Sequence, residues 1–239
     1  MKKCCVLIVL CFVLLLSACT TPQPSLPSNQ HEDVQQQTHY LIHTSERISV
    51  SIGFPCLEEQ DAWLSQTMLS YLHDTIERVI GERVELTESV DKPQNLDYAE
   101  VVLEMNYQIT DLSDLHSSIV FSGTLREQGA AHPSGECFAL NLDTRNQKQV
   151  FLRDICPVDD ALYDTFLDCA CQVLTDKGST NHTKENVAEL FPKEEFLLQM
   201  QEETIYQSYF TQDGVGIICP AGHALGDYLR VEIPLETES

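Results

Sequence analysis

Positive charge is scarce in this chain. Its 239 residues carry 14 Lys and Arg against 37 Asp and Glu, a formal net charge of −23. So acidic a surface repels nucleic acid and anionic lipid and attracts cationic partners, so no nucleic-acid ligand is expected. Although there are 10 cysteines, none of their spacings is CxxC. Cys169 and Cys171, two apart in a helical pattern, point to different sides, which argues against a shared zinc. Gly-x-Ser-x-Gly and His-Glu-x-x-His are missing too, and with them two local signatures of hydrolases. We therefore expect neither metal nor cofactor, and no catalytic residue is assigned. No period of 20 to 50 residues points to repeats.

Long apolar runs are also lacking. Cys4 to Leu16 is uninterrupted but on the short side of the about 20 apolar residues that a bilayer span needs. With Lys2 and Lys3 before it and Ser17 and Ala18 after it, the run reads as an export signal. Leu16-Ser17-Ala18-Cys19 resembles the lipobox of bacterial lipoproteins, which implies cleavage before Cys19 and lipid on that cysteine. Residues 1–18 are thus expected to be a lipoprotein signal peptide and residues 19–37, rich in Pro, Ser and Gln, a flexible tether. Residues 38–239 form the domain, lipid-anchored to a cell membrane on its extracytoplasmic side in a bacterial envelope. Removal of Lys2 and Lys3 makes the mature chain more acidic still.

Cys4, Cys5 and Cys11 leave with the signal and Cys19 takes the lipid. Cys56, Cys137, Cys156, Cys169, Cys171 and Cys219 remain, and six cysteines allow fifteen pairings, among which sequence does not choose.

The hydrophobic content of 43% suits a single globular core of ordinary size. Alternation over Ile48–Phe54, stopped by Pro55, predicts a strand. Leu64, Met68, Leu72, Ile76 and Val79 recur at helical steps between Glu58 and Ile80, with Gly81 placed to end the helix. Arg83–Glu88 reads as a short strand and Ala99–Ile109 as a long one with one wet face. Ser117–Arg126 and Cys137–Asp143 follow as strands, so the stretch GAAHPSGEC, residues 129–137, is expected to be a connection. Asp159–Leu174 is a second amphipathic helix, with helical turns at Val187–Phe191 and Pro192–Glu203, proline starting the last. Strands at Ile205–Phe210, Val215–Cys219 and Leu229–Ile233, with an Asp213-Gly214 turn, close the chain. The fold class is α+β: a mostly antiparallel sheet with amphipathic helices packed on one face.

At ISVSIGFPCL, GAAHPSGECFALNLDTRNQKQVFLRDIC and YFTQDGVGIICPAGHALGDYLRVEIPL the chain resembles a known domain family. It is the extracytoplasmic domain shared by the lysozyme-sensing anti-sigma factor RsiV and the N-terminal half of peptidoglycan deacetylases such as PdaC. Gly129, Ala131 and His132 match the family's Gly-Gly-Ala-His, with Ala130 in place of the second glycine. Leu142-Asp143-Thr144, Leu152-Arg153-Asp154-Ile155, Gly226 and Ile233-Pro234 match further pieces, over about Tyr40 to Leu235. The resemblance implies an RsiV-like domain that binds lysozyme. It does not carry over signalling across a bilayer, for which a lipid at Cys19 is no conduit. Nor does it carry over deacetylation, which belongs to a different, metal-binding domain.

His132 then has three readings: a catalytic base, a structural histidine bonding loop backbone, or part of a recognition loop held on a rigid sheet. The expected binding loop comprises Gly129, Ala131, His132, Pro133 and Glu136, with His223 and Tyr228 as secondary candidates. His39 and His43, about 13 Å apart along a strand, are not expected to share a metal. The sequence thus points to a non-enzymatic lipoprotein binding a cationic protein such as lysozyme, or cell-wall glycan. The alternatives are an envelope enzyme or enzyme accessory acting on peptidoglycan, with His132, Glu136 and His223 in one pocket, and a redox sensor using Cys169 or Cys171.

Overall fold

The computed structural model describes residues 37–56, 62–93, 98–113, 116–176 and 183–235. The expected signal peptide, Cys19 and nearly all of the tether lie outside them. Among the described residues no helix is long and apolar enough to cross a membrane.

The described residues form ten strands and four α-helices. The strands are β1 (Thr38–Thr44), β2 (Ile48–Pro55), β3 (Thr87–Ser89), β4 (Val101–Leu112), β5 (His116–Glu127), β6 (Ser134–Asp143), β7 (Lys148–Gln149), β8 (Gln207–Phe210), β9 (Gly214–Pro220) and β10 (Tyr228–Pro234). The helices are α1 (Ala62–Ile80), α2 (Asp160–Asp176), α3 (Lys184–Leu190) and α4 (Lys193–Glu202). The α+β class holds, but the strands make two sheets where the sequence suggested one. Seven strands in the order β3-β1-β2-β4-β5-β6-β7 form the larger sheet, and β10-β9-β8 the smaller. All pairs are antiparallel except β2 with β4, which α1 connects as a crossover.

Helices cover one face of each sheet. On β2 the even positions Ile48, Val50, Ile52 and Phe54 meet Leu64, Met68, Leu72 and Ile76, the apolar stripe of α1, in a core that also takes Leu103, Phe121 and Leu140. α2 and α4 pack Phe166, Leu174, Phe196 and Met200 against Val215, Ile217 and Val231 of the smaller sheet. The opposite faces of the two sheets meet at Val120, Ala139, Tyr209 and Ile218. Each helix has a local reason to start or stop. The Asp159 carboxylate accepts from the amides of Ala161 and Leu162 at the head of α2, an N-cap. Gly81, at φ +75°, ends α1 in the left-handed conformation that glycine adopts without cost. Pro192 stands one position before α4, as its cap residue, where the sequence reading had put it inside the first turn.

Polar groups bridge the sheets. Ser118 Oγ donates to Asn141 Oδ1 at 2.7 Å and accepts from the Phe210 amide at 2.9 Å, while Asn141 Nδ2 donates to the Ser208 carbonyl at 2.8 Å. Buried polar groups need such partners, and these register one sheet on the other. Two expected strands are shorter than the apolar pattern suggested. Arg83–Leu86 lies outside any strand and only Thr87–Ser89 pairs with β1, and Ile205 and Tyr206 precede β8. In the other direction, β6 begins at Ser134, so the second half of GAAHPSGEC is strand rather than connection.

Candidate functional site

The long β6 strand is paired with β5 along its length, but β7 covers its outer edge only at Leu142 and Asp143. The Val150 amide adds one bond, to the Asn141 carbonyl. Backbone groups of alternate residues in a strand point to the same edge, so Gly135, Cys137 and Ala139 present theirs outward with Asn141. Side chains from elsewhere take up some of them. Ala139 donates its amide to Gln207 Oε1 at 2.8 Å, and its carbonyl accepts from the Tyr71 hydroxyl at 2.7 Å. The Gly135 amide donates to Asp227 Oδ2 at 2.7 Å. Between these two closures, the amide and carbonyl of Cys137 and the carbonyl of Gly135 have no partner among the described residues.

A cleft of about 370 Å³ runs along that open stretch. Its wall on one side is Arg78 and Val79 at the end of α1, and on the other Thr204, Ile205, Pro220 and Ala221, with Asp227 and Tyr228 closing one end. The volume is that of a small-ligand site. Among the described residues, Arg78 takes part in no ion pair.

Two loops form the rim next to Asp227. In the first, Gly129 takes φ +89° and turns the chain after β5, and it is the only residue of 129–137 with positive φ. Ala130 therefore carries no strain where the family that the motifs resemble has a second glycine. In the second, Gly226 and Asp227 are left-handed at φ +95° and +70°. Asp227 is held there by both carboxylate oxygens: Oδ2 accepts from Gly135, and Oδ1 lies 2.8 Å from His223 Nδ1. These bonds keep its carboxyl below the usual range. His223 in turn stacks on His132, with ring centroids 5.4 Å apart and planes 21° from parallel. Gly135 sits so close to the second loop that a Cβ there would lie 2.9 Å from the Gly226 carbonyl oxygen.

The structure thus brings His132, His223 and Tyr228 to one place. Ala131, His132 and Pro133 are exposed on the rim, and Gly129 shapes the turn without lining the cleft. Glu136 lines the cleft on the α1 side of β6, since even positions of this strand face α1. Burial, with the nearby Asp227 charge, raises its pKa against the opposing pull of the Ser134 hydroxyl and Arg78. Sequence reading missed Arg78, Gln207, Tyr71 and Asp227. Only Asp227 left a local trace, the Gly226-Asp227 pair, which is turn chemistry.

As chemistry, Asp227 and His223 make an oriented acid–base pair, but among the described residues no serine, threonine or cysteine donates to either histidine. Burial pushes the Cys137 thiol, which lines the cleft, up to about 12, so it stays a neutral thiol near pH 7. Ser89-Val90-Asp91-Lys92 spells the Ser-x-x-Lys of some acyl-transfer enzymes. Ser89, however, ends β3 at the far edge of the larger sheet, and its hydroxyl donates to the Asp91 carbonyl. His39 meets Phe54 edge-on and His43 bonds the Glu85 carbonyl, and among the described residues no cluster could hold a metal. All six cysteines of the domain are unpaired, and burial with the Asp168 charge raises the pKa of both Cys169 and Cys171, which disfavours the reactive thiolate.

No family model matches the chain, and no curated protein does. Among solved structures it is similar to a DUF3298 family protein from Pseudomonas aeruginosa, with 12% identity and a TM-score of 0.50 over 83% of this chain and 90% of that one. It is also similar to a DUF3298 family member from Bacteroides fragilis, with 12% identity and a TM-score of 0.44 over 82% and 88%. The first likeness shows the fold, and it is the fold of the domain family that the sequence motifs resembled.

Proposed function

We propose that this chain is a non-enzymatic envelope lipoprotein, lipid-anchored at Cys19, whose domain captures a protein or cell-wall ligand, with lysozyme the first ligand to test. The observation that carries the reading is the rim beside the β6 edge. Two loops far apart in sequence are clamped by Asp227, and they present the exposed, stacked His132 and His223 rings beside one end of the cleft. A pre-organised surface of this kind lowers the ordering cost of binding. The acidic charge steers a cationic partner toward it, an attraction that salt screens.

The test is a titration of the full chain in detergent with lysozyme at low and moderate salt, beside a cationic protein of similar size and charge. Selective binding that weakens with salt supports capture, and His132→Ala with His223→Ala should lower it. Equal binding to both proteins, or none, overturns lysozyme as the ligand and moves the titration to soluble peptidoglycan fragments.

A second reading, an enzyme acting on peptidoglycan, is favoured by one observation, the 2.8 Å Asp227–His223 contact beneath His132. It requires turnover of cell-wall fragments that His223→Ala abolishes.

A further inference from the structure

We infer that the β6 edge is a docking site for the C-terminal end of an extended peptide, which adds as a short strand opposite Cys137 and places its terminal carboxylate against Arg78. The inference rests on the reading of the domain as a binding module, and it names a site and ligand chemistry that lysozyme capture does not require.

The first support is the state of the backbone. An exposed strand edge is a template for another chain, and proteins ordinarily cover it or blunt it. Here the covering is selective. Gln207 and Tyr71 close the edge at Ala139, and Asp227 takes the Gly135 amide, each by a specific side-chain bond. The Cys137 amide and carbonyl between them are left to face the cleft. One residue of an extended peptide placed opposite Cys137 both donates to its carbonyl and accepts from its amide. In this antiparallel register the peptide runs toward Gly135, and because Asp227 already takes the Gly135 amide the chain ends opposite Glu136, the residue that feels the Arg78 charge. Strand addition of this kind takes affinity from main-chain bonds and specificity from the flanking walls.

Length is the second support. The closures at Ala139 and Gly135 leave room for about three residues at the 3.4 Å rise of an antiparallel strand, too few for a strand that continues in both directions. A chain that stops in the cleft fits that interval. Charge is the third. Arg78 stands in the last turn of α1, on the cleft wall, and its charge is felt both by Glu136 and by the Tyr71 hydroxyl that closes Ala139. Among the described residues this guanidinium has no ion-pair partner, and beside the open strand bonds it complements a carboxylate, which a guanidinium binds by two parallel bonds. Ile205 is a large apolar side chain left 57% exposed on the facing wall, available to a side chain of the peptide.

The test uses the full chain in detergent and two all-L peptides, acetyl-Val-Thr-Val with a free carboxylate and the same sequence as the C-terminal amide. The acid should bind about tenfold more tightly than the amide, the scale of one charge-assisted contact. Arg78→Gln, an exposed change that leaves the core untouched, should remove that preference. Bound peptide should protect the Cys137 amide from hydrogen exchange, and N-methylation of the peptide residue that pairs with it should abolish binding. Equal affinity for acid and amide, no binding of the acid, or unchanged exchange at Cys137 overturns the site. Lysozyme titrated into the same Arg78→Gln preparation separates the two readings, because capture through the His132–His223 rim should survive that change.

Discussion

Asp227 and Gly135 stand 92 residues apart in the chain and are joined by a 2.7 Å hydrogen bond from the Gly135 amide to Asp227 Oδ2. That bond fastens the 222–228 loop to the start of β6, and the same carboxylate holds His223 beneath His132. The rim therefore depends on one side chain that is itself in a left-handed conformation, a region that Asp and Asn enter more readily than Ala.

Asp227→Ala is accordingly expected to lower the melting temperature and speed exchange of the Gly135 amide, with Asp227→Asn milder on both counts. Because the folded carboxyl is held below its ordinary value, its contribution is complete above the unfolded value of about 3.9. It is lost as pH falls through the lower folded value. Acid melting curves should fall less steeply below about pH 4 for Asp227→Asn than for the unchanged chain.

Glu203 carries the opposite sign. Its carboxylate accepts from the Leu152 amide and from the amide and hydroxyl of Ser208, yet burial outweighs these bonds and raises its pKa. The folded state then binds its proton more tightly, so stability is lost as pH rises from the unfolded value of about 4.3 through the higher folded one. Glu203→Gln should remove that slope in thermal melts, and it should cost about 1–3 kcal/mol by setting an NH₂ against a donor.

Gly216 lies under the Tyr209 ring, where a Cβ would come within 1.9 Å of Cζ. Gly216→Ala must displace a ring that is fully buried and bonded to Glu232 and Arg230. A loss of about 1–3 kcal/mol is expected from overpacking. Denaturant melts of Gly216→Ala, Tyr209→Leu and the pair should be non-additive, with the smaller side chain at 209 recovering most of the loss.

Asn141→Ala strips the Ser118 hydroxyl of its acceptor and the Ser208 carbonyl of a donor inside the contact between the sheets. Each bond left unmade there costs about 1–3 kcal/mol. Chemical denaturation should show the loss, while Asn146→Ala, on the exposed turn after β6, should change much less.

Periodicity located most elements because their burial is one-sided. The step-of-four stripe Leu64, Met68, Leu72 and Ile76 and the alternation Ile48, Val50, Ile52, Phe54 are direct images of one apolar face each, and they meet in a single core. Where burial is decided by distant partners, the pattern misled. Arg83–Glu88 has a strand's composition, but only Thr87 to Ser89 finds β1 to pair with. GAAHPSGEC has a loop's composition, yet Ser134–Glu136 continues the ladder with β5, while on the other edge Gly135, lacking a Cβ, lets the 226–228 loop approach.

By itself the sequence determined the acidic charge, the α+β class and the motifs that resemble a known domain family, and it singled out the 129–137 stretch, with His223 and Tyr228, as candidates. These are properties of composition and of neighbours along the chain. Tertiary structure alone decided that the strands divide into two sheets, that β2 and β4 run parallel, and that His132 stacks on His223. It also decided that Arg78, Gln207, Tyr71 and Asp227 surround an open strand edge. Such groups are brought together by packing across tens of residues, and a hydrogen bond between positions 135 and 227 leaves no period or spacing in the sequence to read.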